Sequence, residues 1–414
     1  MTDIPVPPST RSRTPGPWQA ALLLAGSCMP VMGSVLITPV LPQLSAHFGD
    51  APGADILVPM IVAIPALMIA IFAPFAGQIV DRLGRKTLLI VAMLAYAVAG
   101  TVPAWLDSLG GILVSRAFVG VFEAAIMTVC TTLIVDYFHE ARRRNRYLGL
   151  QTVATTLGAT VFIAVGGAVG SAGWHAPFWI YAIAIPIAVL MIVSIWEPAR
   201  SDSTDSHAVV GERAAVPWRA IALPLVVSLF GGFTFYVMII ETSYLVVGTG
   251  VAPTDTATIG LVAAIASLAT AAGALLFPRL ARRGSQQLVP TAFALQAVGM
   301  IIVWLTPAFA GVLIGAVIAS FGSGILLPSL VTWALARTRF EDRGRVTGWW
   351  TAAFFFGQFA TPIIVGGITA ATGSLPVSVG VVGIAAAVVG VVVLLGTRAS
   401  RTRAAAPLES EPLV

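Results

Sequence analysis

Charge is scarce in this chain. Only 10% of its 414 residues are Asp, Glu, Lys or Arg, against about 25% in a soluble domain, too few to cover a water-exposed surface. Segments of alternating polarity are missing as well, which excludes a transmembrane barrel. Cysteine is reduced to Cys28 and Cys130, both within apolar stretches, so no disulfide framework is implied. The 40 glycines and 27 prolines follow no G-x-y period, which excludes collagen, and a hydrophobic content of 57% excludes disorder. No short apolar core with a small-residue cleavage site follows the polar, Pro-rich residues 1–17, so the first apolar stretch reads as a retained span. What is abundant is long apolar sequence, with a mean hydropathy of +0.93. The class that remains is an all-α polytopic membrane protein.

Twelve apolar segments are legible, at roughly 18–42, 55–79, 87–106, 109–137, 147–170, 176–196, 218–247, 256–277, 286–306, 308–336, 346–371 and 375–397. Each is long enough to cross a bilayer as a helix. The longest polar break, 197–217, lies between the sixth and seventh. The organisation expected is a tail at 1–17, a six-helix bundle at 18–196, a linker at 197–217, a second bundle at 218–397 and a tail at 398–414. Of the 23 Lys and Arg, all but Arg116 fall in the tails, the linker and alternate loops, on one face of such a bundle. Positive loops stay inside, so both termini are expected in the cytoplasm of a cell whose inner membrane holds the protein.

The halves echo one another. Pro17-Trp18-Gln19-Ala20 and Pro217-Trp218-Arg219-Ala220 open the first and seventh segments, and Gly111-Ile112-Leu113-Val114 in the fourth meets Gly311-Val312-Leu313-Ile314 in the tenth. The offset is the same in both cases. Thr132 meets Thr332 at that offset, and Asp81–Lys86 has a degraded counterpart at 278–283. Parallel repeats of this kind imply a binding site at the interface between them.

The loop after the second segment reads Gly77-Gln78-Ile79-Val80-Asp81-Arg82-Leu83-Gly84-Arg85-Lys86. Gly77 is suited to close helix approach and Gly84 to a tight turn. Asp81 is suited to a helix N-terminus, and the basic residues to that carboxylate or to anionic headgroups. This loop resembles the signature of the major facilitator superfamily, and the resemblance extends from about Trp18 to Arg398. Pro39-Val40-Leu41-Pro42 and Arg116-Ala117-Phe118-Val119-Gly120 resemble elements of its twelve-span drug:proton antiporter branch. That branch usually carries Gly-Pro-x-x-Gly-Gly in the fifth span, where this chain keeps Gly166-Gly167 but has Phe162-Ile163 in place of Gly-Pro. The resemblance implies two pseudo-symmetric six-helix bundles and a conformational latch. In that latch Asp81 would meet the start of the eleventh span near Thr347-Gly348, and Arg85 would pair with Asp136.

Away from the span ends three ionisable residues stand in the membrane, Arg116, Glu123 and Glu241, and such residues are expensive there. Arg116 and Glu123, at i and i+7, share one face of the fourth helix. That face must look into the bundle. They are expected to couple transport to protons, Glu123 loading and releasing one beside the fixed charge of Arg116; the alternatives are a structural pair or an anchor for an anionic substrate. Glu241 either pairs with Arg116 across the halves or reaches the outer interface. Ser34, Thr38, Gln151, Phe235, Tyr236, Trp350, Phe354 and Gln358 are candidates to line a cavity.

No nucleotide loop, nucleophile motif or metal spacing is present in the sequence, so neither cofactor, metal nor enzymatic activity is expected. The partners expected are a small molecule and the lipid bilayer, without nucleic acid and for a monomer. The function expected is proton-coupled export of small amphipathic molecules by alternating access. Proton-coupled uptake of an organic anion held by Arg116 is the rival, and a membrane sensor or embedded enzyme a more distant one.

Overall fold

The computed structural model describes residues 15–198, 218–281, 285–336, 338–339 and 342–405. The first tail up to residue 14, the linker from 199 to 217, the end of the second tail and the side chain of Asp81 lie outside the described residues. Twelve helices among those described are long and apolar enough to cross a membrane. They are α1 Pro17–His47, α2 Ala54–Val80, α3 Arg85–Trp105, α4 Leu109–Tyr137, α5 Ala141–Gly170 and α6 Ala176–Ser194 in the first half. In the second are α7 Ile221–Gly248, α8 Thr256–Leu280, α9 Gln287–Leu305, α10 Phe309–Leu335, α11 Arg343–Thr372 and α12 Leu375–Thr397. The chain is a multi-pass membrane protein.

Two boundaries differ from the sequence reading. α5 begins at Ala141 and so carries Arg142, Arg143, Arg144 and Arg146 as helix. Arginine is a good helix former, and hydropathy cannot see helix that extends beyond the apolar layer. α1 continues past Pro39 and Pro42 to His47 by way of a short 3-10 turn at Thr38–Val40, a tightening that lets the chain carry both prolines without ending.

The repeat survives in three dimensions. α4 and α10 begin at Leu109 and Phe309, the offset seen in the sequence. The halves meet where α5 packs on α8 and α2 on α11. Small residues allow the first of these crossings. Gly166 of α5 lies against the Leu36 carbonyl of α1, and Gly167 against Gly260 of α8, with no room for a methyl group at either. Without a hydrophobic drive between helices in lipid, such close backbone contact is a main source of cohesion.

At the end opposite the basic loops the halves are closed upon each other. Ser243 donates to the Thr38 carbonyl at 2.8 Å, the Ser45 and Tyr244 hydroxyls share a bond of 2.9 Å, and Thr256 donates to the Gly167 carbonyl at 2.7 Å. Nearer mid-height the Tyr236 hydroxyl donates to the Val62 carbonyl at 3.0 Å. Thr38 and Tyr236 are therefore buried in the seam between the halves, where sequence had placed them on a cavity wall. Hydroxyls that satisfy main-chain carbonyls make such a seam inexpensive to form.

Candidate functional site

The polar centre of the first half is built on the inward face of α4. Arg116 is fully buried, at 0% exposure. Its Nε donates to the Ile61 carbonyl at 3.1 Å, Nη1 to the Tyr181 hydroxyl at 2.8 Å and Nη2 to the Gly33 carbonyl at 2.6 Å. The guanidinium also lies 5.3 Å from the centroid of the Tyr181 ring, within cation–π range. One side chain thus ties α4 to α1, α2 and α6. Tyr181 donates in turn to Gly33 at 3.2 Å, and Tyr96, its ring centroid 5.3 Å from that of Tyr181, donates to the Met29 carbonyl at 2.6 Å.

Glu123 sits one helical face with Arg116, as the spacing requires, but the two form no ion pair. It is 0% exposed, and neither carboxylate oxygen has a hydrogen-bond partner. The oxygens lie against the backbone of Gly33, where any Cβ would collide with them. A Cβ at Gly33 would displace the Glu123 carboxylate, and the Gly33 carbonyl is held by the arginine beside it.

Glu241 is 5% exposed and pairs with neither Arg116 nor any other described residue. The expected pair with Arg116 is not formed. The end at which pairing across the halves was anticipated is closed, yet Arg116 points to main-chain carbonyls of its own half. Glu241 is largely buried on the side of α7 that carries Val237, Met238 and Leu245 into the core of the second half.

The other candidates divide. Gln151 donates to Ser27 at 2.8 Å and Thr131 at 3.1 Å, a polar link among α5, α1 and α4. Ser34 is half-buried and donates to the Pro30 carbonyl. Phe235, Phe354 and Trp350 form a ladder of rings, with centroids 5.6 Å apart for the first pair and 5.3 Å, nearly parallel, for the second. Gln358 lies one helical turn beyond Phe354 on α11 and is buried. The buried indole N–H of Trp350 has no acceptor.

At the basic end Arg85 pairs with Asp136, joining α3 to α4. Gly84 turns the chain with φ +81 and ψ 143, a region that side chains avoid. Gly77 is not a close-approach position, since the space beside it is open. That role falls to Gly348 of α11, where a Cβ would stand 3.1 Å from Pro74 Cα. Arg82 is exposed, and Lys86 Nζ donates to the Ile192 carbonyl at 2.8 Å.

Sequence reading missed Glu197. Its two oxygens accept from the backbone N–H groups of Arg85 and Lys86 at 2.7 and 2.8 Å, capping α3 from the far end of the same half. The helix N-terminus, with its orphan donors and positive dipole, is the reason a carboxylate settles there. Glu197→Ala is expected to lower stability by about 0.5–2 kcal/mol, read as a fall in the thermal midpoint of the purified protein. An unchanged midpoint would mean the cap contributes nothing.

The assembly described is a transporter fold: two repeated six-helix halves, sealed at one end, around charged residues at mid-height. The model of the Major Facilitator Superfamily matches residues 23–252 and 230–413, and the chain belongs to that superfamily. It is 29% identical over 217 residues to the class D tetracycline resistance protein of Salmonella ordonez, covering 52% of this chain and 54% of that one. To the putative multidrug resistance protein MdtD of Pectobacterium atrosepticum it is 24% identical over 183 residues, 43% of this chain and 37% of the relative. The chain thus spans about half the length, or less, of the curated relatives it matches. A bacterial homologue of the human lysosomal transporter Spinster, inward-facing and occupied, shares the fold with a TM-score of 0.70 at 17% identity, over 92% of this chain and 94% of that one. The human organic anion transporter MFSD10 does so at 0.68 and 16%, over 92% and 100%.

Proposed function

We propose that this transporter exports small amphipathic molecules, neutral or cationic, in exchange for protons, and that Glu123 carries the proton. The single observation behind this reading is a fully buried carboxylate without a hydrogen-bond partner, on the helix face of a buried arginine that bonds elsewhere. An ionised carboxylate without partners is strongly disfavoured in an apolar interior. Glu123 therefore holds a proton while the site is shut and gives it up when the opposite face opens. In this reading the seam between Ser243, Tyr244 and α1 closes the exterior, and both termini and the basic loops lie on the cytoplasmic side of the inner membrane. The relatives named for drug resistance support export. The energy comes from the proton gradient, without a cofactor, and the protein acts as a monomer.

Uptake of an anion loses its anchor in this arrangement. Arg116 has no exposed surface and directs its N–H groups to Ile61, Gly33 and Tyr181, so an anion would have to displace two main-chain carbonyls and a tyrosine hydroxyl on three helices.

Arg85 and Asp136 belong to the latch of the basic end in this reading, together with Asp81 and Gly348 as the family resemblance implies. Asp136→Asn releases Arg85 and is expected to lower the maximal rate of transport while leaving substrate affinity nearly unchanged. Initial rates in proteoliposomes, set against equilibrium binding to the purified protein, measure the two separately. Equal loss in both would show that Asp136 serves binding, not the change of state.

The test of the whole proposal is substrate-dependent proton movement. Inverted vesicles holding the protein, acidified inside, should take up ethidium or tetracycline and lose their pH gradient as they do so. Uptake that leaves the gradient intact would overturn proton exchange.

A further inference from the structure

Glu241 remains unused by the site in the first half. Its position on α7 says where it points. Thr234 and Glu241 are two turns apart on one stripe, and Thr234 donates to Gln296 of α9 at 3.0 Å. Val237, Met238 and Leu245, which flank that stripe, pack in a core cluster with Ile259, Val303 and Val312 of α8, α9 and α10. The opposite side of α7 faces the first half: Tyr236 and Ser243 donate to carbonyls of α2 and α1. Glu241 thus belongs to the interior of the second half, as Glu123 belongs to that of the first.

The two carboxylates share the lack of a partner among the described residues, although only the oxygens of Glu123 are sealed from solvent. Among the described residues Glu241 has neither a hydrogen-bond donor nor an ion-pair partner. The titratable side chain beside it is Tyr244, on the next turn of α7, whose hydroxyl is already engaged with Ser45; Asp55, at the start of α2, acts on Tyr244 in turn. Among the described residues no basic side chain pairs with a negative charge at 241. The chain retains the carboxylate nonetheless, in a core where leucine or glutamine would be far less expensive.

We infer that the transporter carries two protons per cycle, one on Glu123 and one on Glu241, each buried in its own half while the exterior is closed. This rests on the proposed proton exchange and goes beyond it by assigning the stoichiometry and the second site. The step is simple and balanced. Each carboxyl group loses one proton to the cytoplasm as that side opens, leaving a carboxylate, and regains one from the exterior in the opposite state. Two protons entering against one monovalent cation leaving move one net positive charge inward, so membrane voltage as well as the pH gradient drives export.

The test uses the full-length protein in proteoliposomes at zero membrane potential with a pH difference of one unit, and ethidium as the transported probe. Two protons sustain about a hundred-fold gradient of the probe and one proton about ten-fold, since each unit is worth about 1.4 kcal/mol per proton. Wild type is expected near the first value and Glu241→Gln near the second. In that variant an inside-negative potential should no longer accelerate ethidium export, because the exchange has become electroneutral. Infrared spectroscopy of the purified protein gives a second reading that needs no substrate. Two protonated-carboxyl C=O bands are expected, one lost in Glu123→Gln and the other in Glu241→Gln. A ten-fold gradient in wild type, or an unchanged band pattern in Glu241→Gln, would overturn the second proton while leaving the first in place. Absence of coupled proton movement in wild type would overturn the exchange reading itself, and the stoichiometry with it.

Discussion

Glu123→Gln is expected to lower substrate-driven proton flux by half or more, to no more than the one proton per cycle left to Glu241, while the protein remains folded. Glutamine has the shape of the protonated acid and cannot release a proton. Because the carboxyl oxygens have no partner in the folded state, the amide breaks no hydrogen bond, and the loss of stability should not exceed about 1–3 kcal/mol, the cost of an added buried donor. Binding of substrate should persist, since the variant mimics one of the two states through which the wild type passes. The measurement is a pH-sensitive dye trapped in proteoliposomes, paired with a binding isotherm and a thermal melt. Normal flux in the variant would remove Glu123 from the mechanism. Loss of flux together with a collapsed melt would reduce it to a packing residue.

Arg116→Lys is expected to have an effect of a different kind, on structure first. Lysine preserves the charge, but its single ammonium group cannot reach acceptors on α1, α2 and α6 as the planar guanidinium does. The carbonyls of Gly33 and Ile61 and the hydroxyl of Tyr181 accept from Arg116 at 2.6–3.1 Å. Each buried group left without a partner costs about 1–3 kcal/mol. A loss of roughly 2–5 kcal/mol follows, read as a lower thermal midpoint, with transport lost in parallel. The same variant discriminates between readings of the arginine. If charge alone mattered, as it would for holding an anion, lysine would retain much of the activity and the stability.

Much of the fold was legible in advance because it depends on quantities that a chain displays along its length. Twenty or so apolar residues make a span wherever they occur, and loops of one sign report the face on which they lie. The echo of Gly111–Val114 at Gly311–Ile314 announced the repeat, which the starts of α4 and α10 then bear out. The inward face shared by Arg116 and Glu123 followed from helical geometry alone.

The partners of those residues were not legible, for a physical reason. Arg116 is held mainly by main-chain oxygens, and every residue has one, so no pattern of side chains marks Gly33 or Ile61. Tyr181 carried a faint signal as a tyrosine within an apolar span, whose hydroxyl requires an acceptor or donor. Glu197 carried another, as an acidic residue just beyond α6, but its target lies on α3, more than a hundred positions away. Gly77 and Gly348 show the same limit. Both are glycines near span ends, and only the path of the neighbouring helix decides which of them is crowded.

The grip of Arg116 on backbone oxygens also constrains how the chain can change over generations. Replacing a neighbour's side chain at position 61 deletes no acceptor, so drift there leaves the arginine's bonds in place. By the same token, no exchange of partner can rescue a damaged arginine. Second-site revertants of Arg116 variants should therefore map to residues that shift whole helices against one another, with few at the positions the arginine touches.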